Sequence, residues 1–286
     1  MRNHSRRRNP GGGYVIPFYG CDIFLPARIS PMTQKRIIGI IPARYGSSRL
    51  PGKALRRIHN KTMVQRVYER SLLCPRLNAL YVATDDERIV STVEAFGGQA
   101  VMTLMDCQSG TERAAEAMAS IEADIVVNIQ GDQPFIDPLM IDECIQPMLD
   151  DDTLPMCTLM HPISHPEDLL DPAVVKVVVD LNGNALYFSR SLIPCPSSSN
   201  KNRIHRVYEH IGLYVYTKAF LLQLAALPST PLEQVESLEQ LRVLEHGYRL
   251  RVVETKTQDN AFYGFSVDTE QDLVRAETML CERHQE

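Results

Sequence analysis

Three cations fall within residues 44–53: Arg44, Arg49 and Lys53, set among Gly46, Ser47, Ser48 and Gly52 in ARYGSSRLPGK. A loop of this kind suits a polyphosphate. Small residues let the backbone approach an anion and turn N–H groups toward it, while the cations neutralise its charge. Five residues separate Gly46 from Gly52, and Ala54 follows Lys53, so the spacing is not that of the common phosphate loop. The G-x-G-x-x-G fingerprint of dinucleotide-binding proteins is also missing from this loop. The plain alternative is a basic surface loop after a buried strand. Two carboxylates extend the pattern. Asp132 stands on a glycine turn in NIQGDQPFI, and Asp268 in SVDTEQDL follows an expected strand and opens a helix. Magnesium bound to a nucleoside triphosphate takes one or two carboxylates and fills its other positions with phosphate and water. Asp268 has a competing role as a helix N-cap.

The elements that must position these groups alternate from Ile37 onward. IIGIIP is an apolar run of strand length, and Val64, Val67, Tyr68, Ser71 and Leu72 share a helical face. Leu80–Thr84 is a second strand, Asp85 and Asp86 precede a helix over 87–96, and Gly97 with Gly98 stops it. Residues 100–103 give a third strand, Thr111 is the expected N-cap of an Ala/Glu-rich helix, and 124–130 is a fourth strand. Strands apolar on both faces and alternating with helices predict an α/β fold, a predominantly parallel twisted sheet with helices on both faces. Ligands bind at the carboxyl ends of such strands. The second half is less regular. Asn182-Gly183 marks a hairpin between 174–180 and 185–189, with Tyr187 and Phe188 as hairpin core, and a polar loop follows at 194–204. Further strands are expected at 211–216 and 249–254, with a helix over 238–245 and another from about Asp268.

Composition narrows the class. The chain has 286 residues, and no stretch of about 18 uncharged apolar residues appears, so no membrane span is expected. A formal charge of −5 disfavours a nucleic-acid binder. Seven cysteines without a C-x-x-C pair suggest reduced thiols and no structural zinc. Pro162 and Pro166 keep His161 and His165 from sharing a helix face, which argues against a metal pair there. Residues 1–35, with Arg6–Arg8, three glycines and scattered prolines, read as a mobile extension before a 36–286 domain, and Met32 is a candidate translation start.

Nine segments together carry a family resemblance: IIPARYGSSRLPGK, VATDDERI, SGTERAAE, VNIQGDQPFI, AVVKVVVD, ALYFSR, HIGLYVY, LEQLRVL and VDTEQDL. In that order they resemble the 3-deoxy-manno-octulosonate (Kdo) cytidylyltransferases, or CMP-Kdo synthetases, over roughly Arg36–Glu277. The resemblance implies a cytoplasmic, magnesium-dependent, homodimeric nucleotidyltransferase that moves CMP from CTP to the 2-hydroxyl of Kdo for lipopolysaccharide synthesis. It implies Arg44, Ser47 and Lys53 at the CTP phosphates, with Arg44, Lys53 and Asp132 catalytic. Ser109, Arg113 and Gln130 would hold the nucleotide, and Asp132 and Asp268 the metal. Arg190, His210, Tyr214, Glu239 and Gln240 would contact Kdo, and about 155–205 would form a smaller mixed α+β region at the dimer contact. Ser266 and Glu209 depart from the family's usual glycine and basic residue. A cytidylyltransferase for another acid sugar, such as a sialic acid, and a catalytically silent sugar-nucleotide binding protein are the competing readings.

Overall fold

A computed structural model of the chain describes residues 35–47, 49–107, 109–195, 206–257 and 265–283. Residues 1–34 of the expected N-terminal extension, Cys21 among them, Ser48 and most of the 194–204 loop lie outside the described residues.

The first strand, β1 (Ile37–Pro42), is apolar because both its faces are covered. Ile37 and Ile41 enter one hydrophobic cluster, Ile38 and Ile40 the other, and all four are at most 4% exposed. The basic loop follows, closing in a 3₁₀ turn at Lys53–Leu55. Next come a small hairpin, β2 (Arg57–Ile58) with β3 (Lys61–Thr62), and helix α1 (Met63–Ser71), capped by the Thr62 hydroxyl. Then β4 (Ala79–Thr84), α2 (Glu87–Ala95), β5 (Ala100–Met102), α3 (Gly110–Met118) and β6 (Ile125–Asn128) continue the alternation. Asp86 caps α2, and Gly97 ends it in the left-handed conformation at φ 82°.

After α4 (Pro138–Asp150), β7 (Met156–Pro162) leads into a hairpin of β8 (Lys176–Val179) and β9 (Ala185–Ser189). Asp180 accepts the N–H groups of Asn182 and Asn184, both at 2.8 Å, and Gly183 sits at φ 78°. Phe188 is buried and Tyr187 packs beside it, as expected of hairpin core. The chain ends through β10 (Tyr208–Thr217), α5 (Lys218–Ala226), α6 (Pro231–Glu236), α7 (Gln240–Glu245), β11 (Arg251–Glu254) and α8 (Glu270–Arg283).

The main sheet runs β11-β7-β10-β6-β1-β4-β5, with β8 and β9 attached through β10. Pairs β1–β4, β1–β6, β4–β5 and β7–β11 are parallel, whereas β10 runs antiparallel to both β6 and β7. The mostly parallel sheet with helices on both faces is therefore present. Helices α1, α2 and α4 cover one face, and α3, α5 and α7 the other. Two local expectations fail. Ser109, not Thr111, caps α3 by accepting the Glu112 N–H at 3.1 Å, because Thr111 already lies one residue inside the helix. The second half is also more ordered than its sequence suggested, since β7 is buried over most of its length and so lacks the alternating pattern that marks a half-exposed strand. Among the described residues no helix is long and apolar enough to cross a membrane.

Candidate active site

A cleft of about 300 Å³ opens where β1, β5 and β6 end at their carboxyl sides. The strand ends deliver its walls. Leaving β1, the chain brings Arg44, Ser47, Arg49 and Lys53; the turn into α3 brings Ser109 and Arg113; the turn after β6 brings Gln130 and Asp132; and Asp268 closes the cleft from the start of the last helix. Gly131 is required by close approach. A Cβ there would lie 2.7 Å from the Pro42 carbonyl oxygen, so any side chain would push the two loops apart.

Lys53 is the centre of the charge arrangement. Its ammonium lies 2.9 Å from Asp132 Oδ2 and 2.8 Å from Asp268 Oδ1, and Arg49 reaches Asp268 at 3.0 Å. The Lys53 side chain is 16% exposed and each carboxylate 28%, so the charges balance one another without losing contact with solvent. Asp132 and Asp268 are also joined through the backbone, the Val267 N–H donating to the Asp132 carbonyl at 2.9 Å. Asp268 is free for this work, because the α8 cap is supplied by Thr269, whose hydroxyl accepts the Asp272 N–H at 3.2 Å. The competing N-cap role for Asp268 is thereby removed.

The loop uses its backbone differently from the sequence expectation. The N–H groups of Ser47 and Gly52 both donate to the Tyr45 carbonyl, and that of Lys53 to the Leu50 carbonyl. These three amides fold the loop, and the side chains of Arg44, Ser47, Arg49 and Lys53 are what it brings to the cleft wall. Gly52 is needed instead for its left-handed φ of 64°, against which the Tyr45 ring packs at 3.2 Å from the Cβ position. The Arg88 guanidinium stacks over the other part of that arrangement, 3.4 Å from the Tyr45 ring centroid.

Arg113 is 3% exposed and donates to Asp85 at 2.9 Å and to the Thr103 hydroxyl at 2.5 Å. It faces the cleft with its orientation fixed from behind. Cys107 also lines the cleft, and sequence reasoning passed it over; its thiol donates to Glu116, and burial, then that carboxylate, push its pKa up to about 11. No local spacing marks it, since its partner is defined by helix α3.

The five remaining candidates do not line this cleft. His210, Tyr214, Glu239, Gln240 and Arg190 gather beside it instead. The Ser109 hydroxyl donates to Glu239 Oε1 at 2.8 Å and Thr111 to Oε2 at 2.7 Å, which joins the two regions. Next to Glu239, Gln240 accepts from the Tyr214 hydroxyl at 3.2 Å and lies 3.4 Å from His210 Nδ1, while Thr158 meets His210 Nε2 at 3.0 Å. Burial pushes the His210 pKa down to about 3, so the ring is neutral, and burial likewise holds the Tyr214 phenol protonated. Arg190 donates from Nε to the Glu236 carbonyl at 2.7 Å and from Nη1 to the Pro172 carbonyl at 2.9 Å, so it braces the turn that leads to Glu239.

Comparison with known proteins gives the family. Residues 38–255 match the profile of a family described as Cytidylyltransferase. A 3-deoxy-manno-octulosonate cytidylyltransferase of Syntrophotalea carbinolica is 50% identical over 250 residues, 85% of this chain and 98% of that protein. The enzyme of the same name from Geotalea daltonii is 50% identical over 258 residues, 87% of this chain and 99% of its own. The solved structure of a CMP:2-keto-3-deoxy-manno-octonic acid synthetase complexed with CTP superposes with a TM-score of 0.80 at 44% identity, covering 87% of this chain and 99% of that one. A 4-diphosphocytidyl-2C-methyl-D-erythritol synthase from Anaerococcus prevotii, 13% identical over 87% of this chain and 99% of its own, shares the fold at a TM-score of 0.56. With its cleft at the strand ends and relatives of this identity over nearly their whole length, the chain belongs to the cytidylyltransferase family and, within it, to the 3-deoxy-manno-octulosonate cytidylyltransferases.

Proposed function

We propose that the cleft binds the triphosphate of CTP and transfers its CMP group to the 2-hydroxyl of Kdo, releasing pyrophosphate. The observation that carries this reading is the convergence of Lys53, Asp132 and Asp268, three residues distant in sequence, on one point of a cleft walled by Arg44, Arg49 and Ser47. Attack on the α-phosphorus in line with the departing pyrophosphate builds charge on the bridging and non-bridging oxygens. Fixed cations there stabilise that charge more in the transition state than in the ground state. Lys53, Arg44 and Arg49 supply them, while Ser109, Arg113 and Gln130 hold the nucleotide.

The donor set fits magnesium. Two carboxylates reach the same ammonium nitrogen within 2.9 Å, so they already converge on a cation-sized point. Among the described residues no group of three or more His, Cys, Asp or Glu side chains forms a closed cage. Two carboxylates with phosphates completing the shell is the usual arrangement for this ion. Bound by Asp132 and Asp268, magnesium would supply Lewis-acid neutralisation of the phosphates and a lower pKa for the attacking hydroxyl. With a metal held by those carboxylates, Lys53 would be available to a phosphate oxygen.

His210, Tyr214, Glu239 and Gln240, with Arg190 behind them, form the sugar side. A neutral His210 positions a hydroxyl by hydrogen bonding and does not act as a cationic acid. The enzyme works as a homodimer in the cytoplasm, with the 155–205 region at the dimer contact. Measuring pyrophosphate release with CTP, ATP and UTP against Kdo and N-acetylneuraminate, with magnesium or with chelator, tests the reading. Metal-dependent turnover only with CTP and Kdo is expected. Turnover with N-acetylneuraminate alone would overturn the sugar assignment, and none with any pair would favour the silent binding protein.

A further inference from the structure

We propose that Asp272, in the first turn of α8, is the positioning residue for the metal carboxylate Asp268; this inference rests on the assignment of Asp132 and Asp268 as metal ligands. Asp268 leaves no strand or helix of its own, since residues 265–268 have no regular structure and α8 begins at Glu270. Its placement therefore depends on where three consecutive N–H groups go. The Val267 N–H donates to the Asp132 carbonyl at 2.9 Å, the Asp268 N–H to Asp272 Oδ2 at 3.1 Å, and the Thr269 N–H to the same oxygen at 2.8 Å.

Two of the three anchors thus come from one carboxylate. That oxygen also accepts the Thr269 hydroxyl at 2.8 Å, and the Asp272 N–H donates back to Thr269 Oγ1 at 3.2 Å. The arrangement is a reciprocal capping box in which the third helical residue holds the cap residue's backbone. Here the box reaches one residue further back, to the amide of the ligand itself. Val267, fully buried against Leu50, Ile58 and Phe135, fixes the other side. The Asp268 backbone is held from both directions, and its carboxylate meets Lys53 at 2.8 Å, Arg49 at 3.0 Å and the Ser266 hydroxyl at 3.5 Å. Hydrogen bonds to a charged acceptor are the stronger kind, which suits a residue charged with holding a ligand in place.

The experiment measures Mn²⁺ binding in the presence of CTP by electron paramagnetic resonance, with melting temperature recorded for each variant. Wild-type protein is measured first; absence of Mn²⁺ binding there refutes the metal-site assignment itself and leaves the cap untouched as structure. Given wild-type binding, Asp272→Ala is expected to weaken Mn²⁺ about 10-fold while CTP affinity in chelator stays within 2-fold, and Asp272→Glu, which keeps the box, to stay within about 3-fold of wild type. Thr217→Ala removes the cap of α5, where the Phe220 N–H meets the Thr217 hydroxyl at 3.2 Å, and serves as the stability control. It is expected to lower the melting temperature without changing Mn²⁺ affinity. If Asp272→Ala does not fold, Thr269→Val decides, with an expected loss of about 3-fold in Mn²⁺ affinity. Unchanged Mn²⁺ affinity in Asp272→Ala, or in Thr269→Val when that variant decides, overturns the proposal.

Discussion

Lys53, Asp132 and Asp268 form an ion-paired cluster in a cleft that solvent still reaches, whereas His210, Tyr214 and Gln240, one hydrogen-bonded step away, are at least nine-tenths buried or packed among aromatic rings. Under the proposed function, the difference follows from what each region would handle. Charge that appears on a phosphate during transfer needs fixed opposite charge, and opposite charges can stay near one another at modest cost only while partly hydrated. A polyhydroxy acid is distinguished by hydrogen bonds, and a buried polar network rejects a ligand that leaves its groups unpaired. The hydrogen bond from Ser109 to Glu239 joins the two regions.

Removing charge from the cleft should have the largest effect. Lys53→Met is expected to lower turnover about 10³-fold and Asp132→Asn at least about 10²-fold, as for lost transition-state electrostatics. In Asp132→Asn, CTP binding in equilibrium dialysis should remain partly intact; near-normal turnover would remove Asp132 from the metal site. The neutral region should respond in a different constant. Tyr214→Phe deletes the donor to Gln240 and is expected to raise KM for Kdo about 10-fold with the CTP KM unchanged, and a rise in both would erase the division between the regions.

Gly131→Ala tests the join between β1 and β6 beneath the cleft. With a Cβ 2.7 Å from the Pro42 oxygen, a loss of about 1–3 kcal/mol in urea unfolding is expected, and an unchanged midpoint would show that the loops can separate freely. The most gradual effect is on pH dependence, because it is spread over several pH units. His210 takes a proton at about 3 when folded against an ordinary 6.5, so the unfolded chain binds the extra proton between those values. Stability from this group is complete above about pH 6.5 and is lost as pH falls toward 3, by at most about 1.4 kcal/mol per unit. Glu209, raised from 4.5 to about 7 first by burial and then by Asp168, has the opposite sign: the folded chain holds its proton, and stability falls as pH rises through that range. His210→Gln should flatten the acid limb of a melting-temperature profile, and Glu209→Gln should steepen it. Identical profiles in all three proteins would contradict the shifts of these two groups.

Much of the molecule was legible in its sequence because the signals are local. The apolar run at β1, the Asp86 cap and the Asn182-Gly183 turn are each decided by a few neighbouring residues, and each lies where the sequence placed it. The sequence also named the cleft's charged residues, with the resemblance assigning their roles. What it missed depends on distant partners. Thr111 looks like a cap until Ser109 is seen to take that place and Thr111 to reach Glu239, and Cys107 is ordinary until α3 brings Glu116 to it. The Thr269-x-x-Asp272 spacing was available as a capping signal and went unread.

The sequence by itself determined the strand-and-helix order, the basic loop and the two candidate carboxylates, since these follow from periodicity and side-chain chemistry over a few residues. Only the tertiary structure decided that Lys53 meets Asp132 across 79 positions and Asp268 across 215, and that β10 enters antiparallel between β6 and β7 to bring the neutral cluster beside them. The physical reason is that strand order is selected by burial of whole faces against one another, a property of the assembled sheet that no short segment contains.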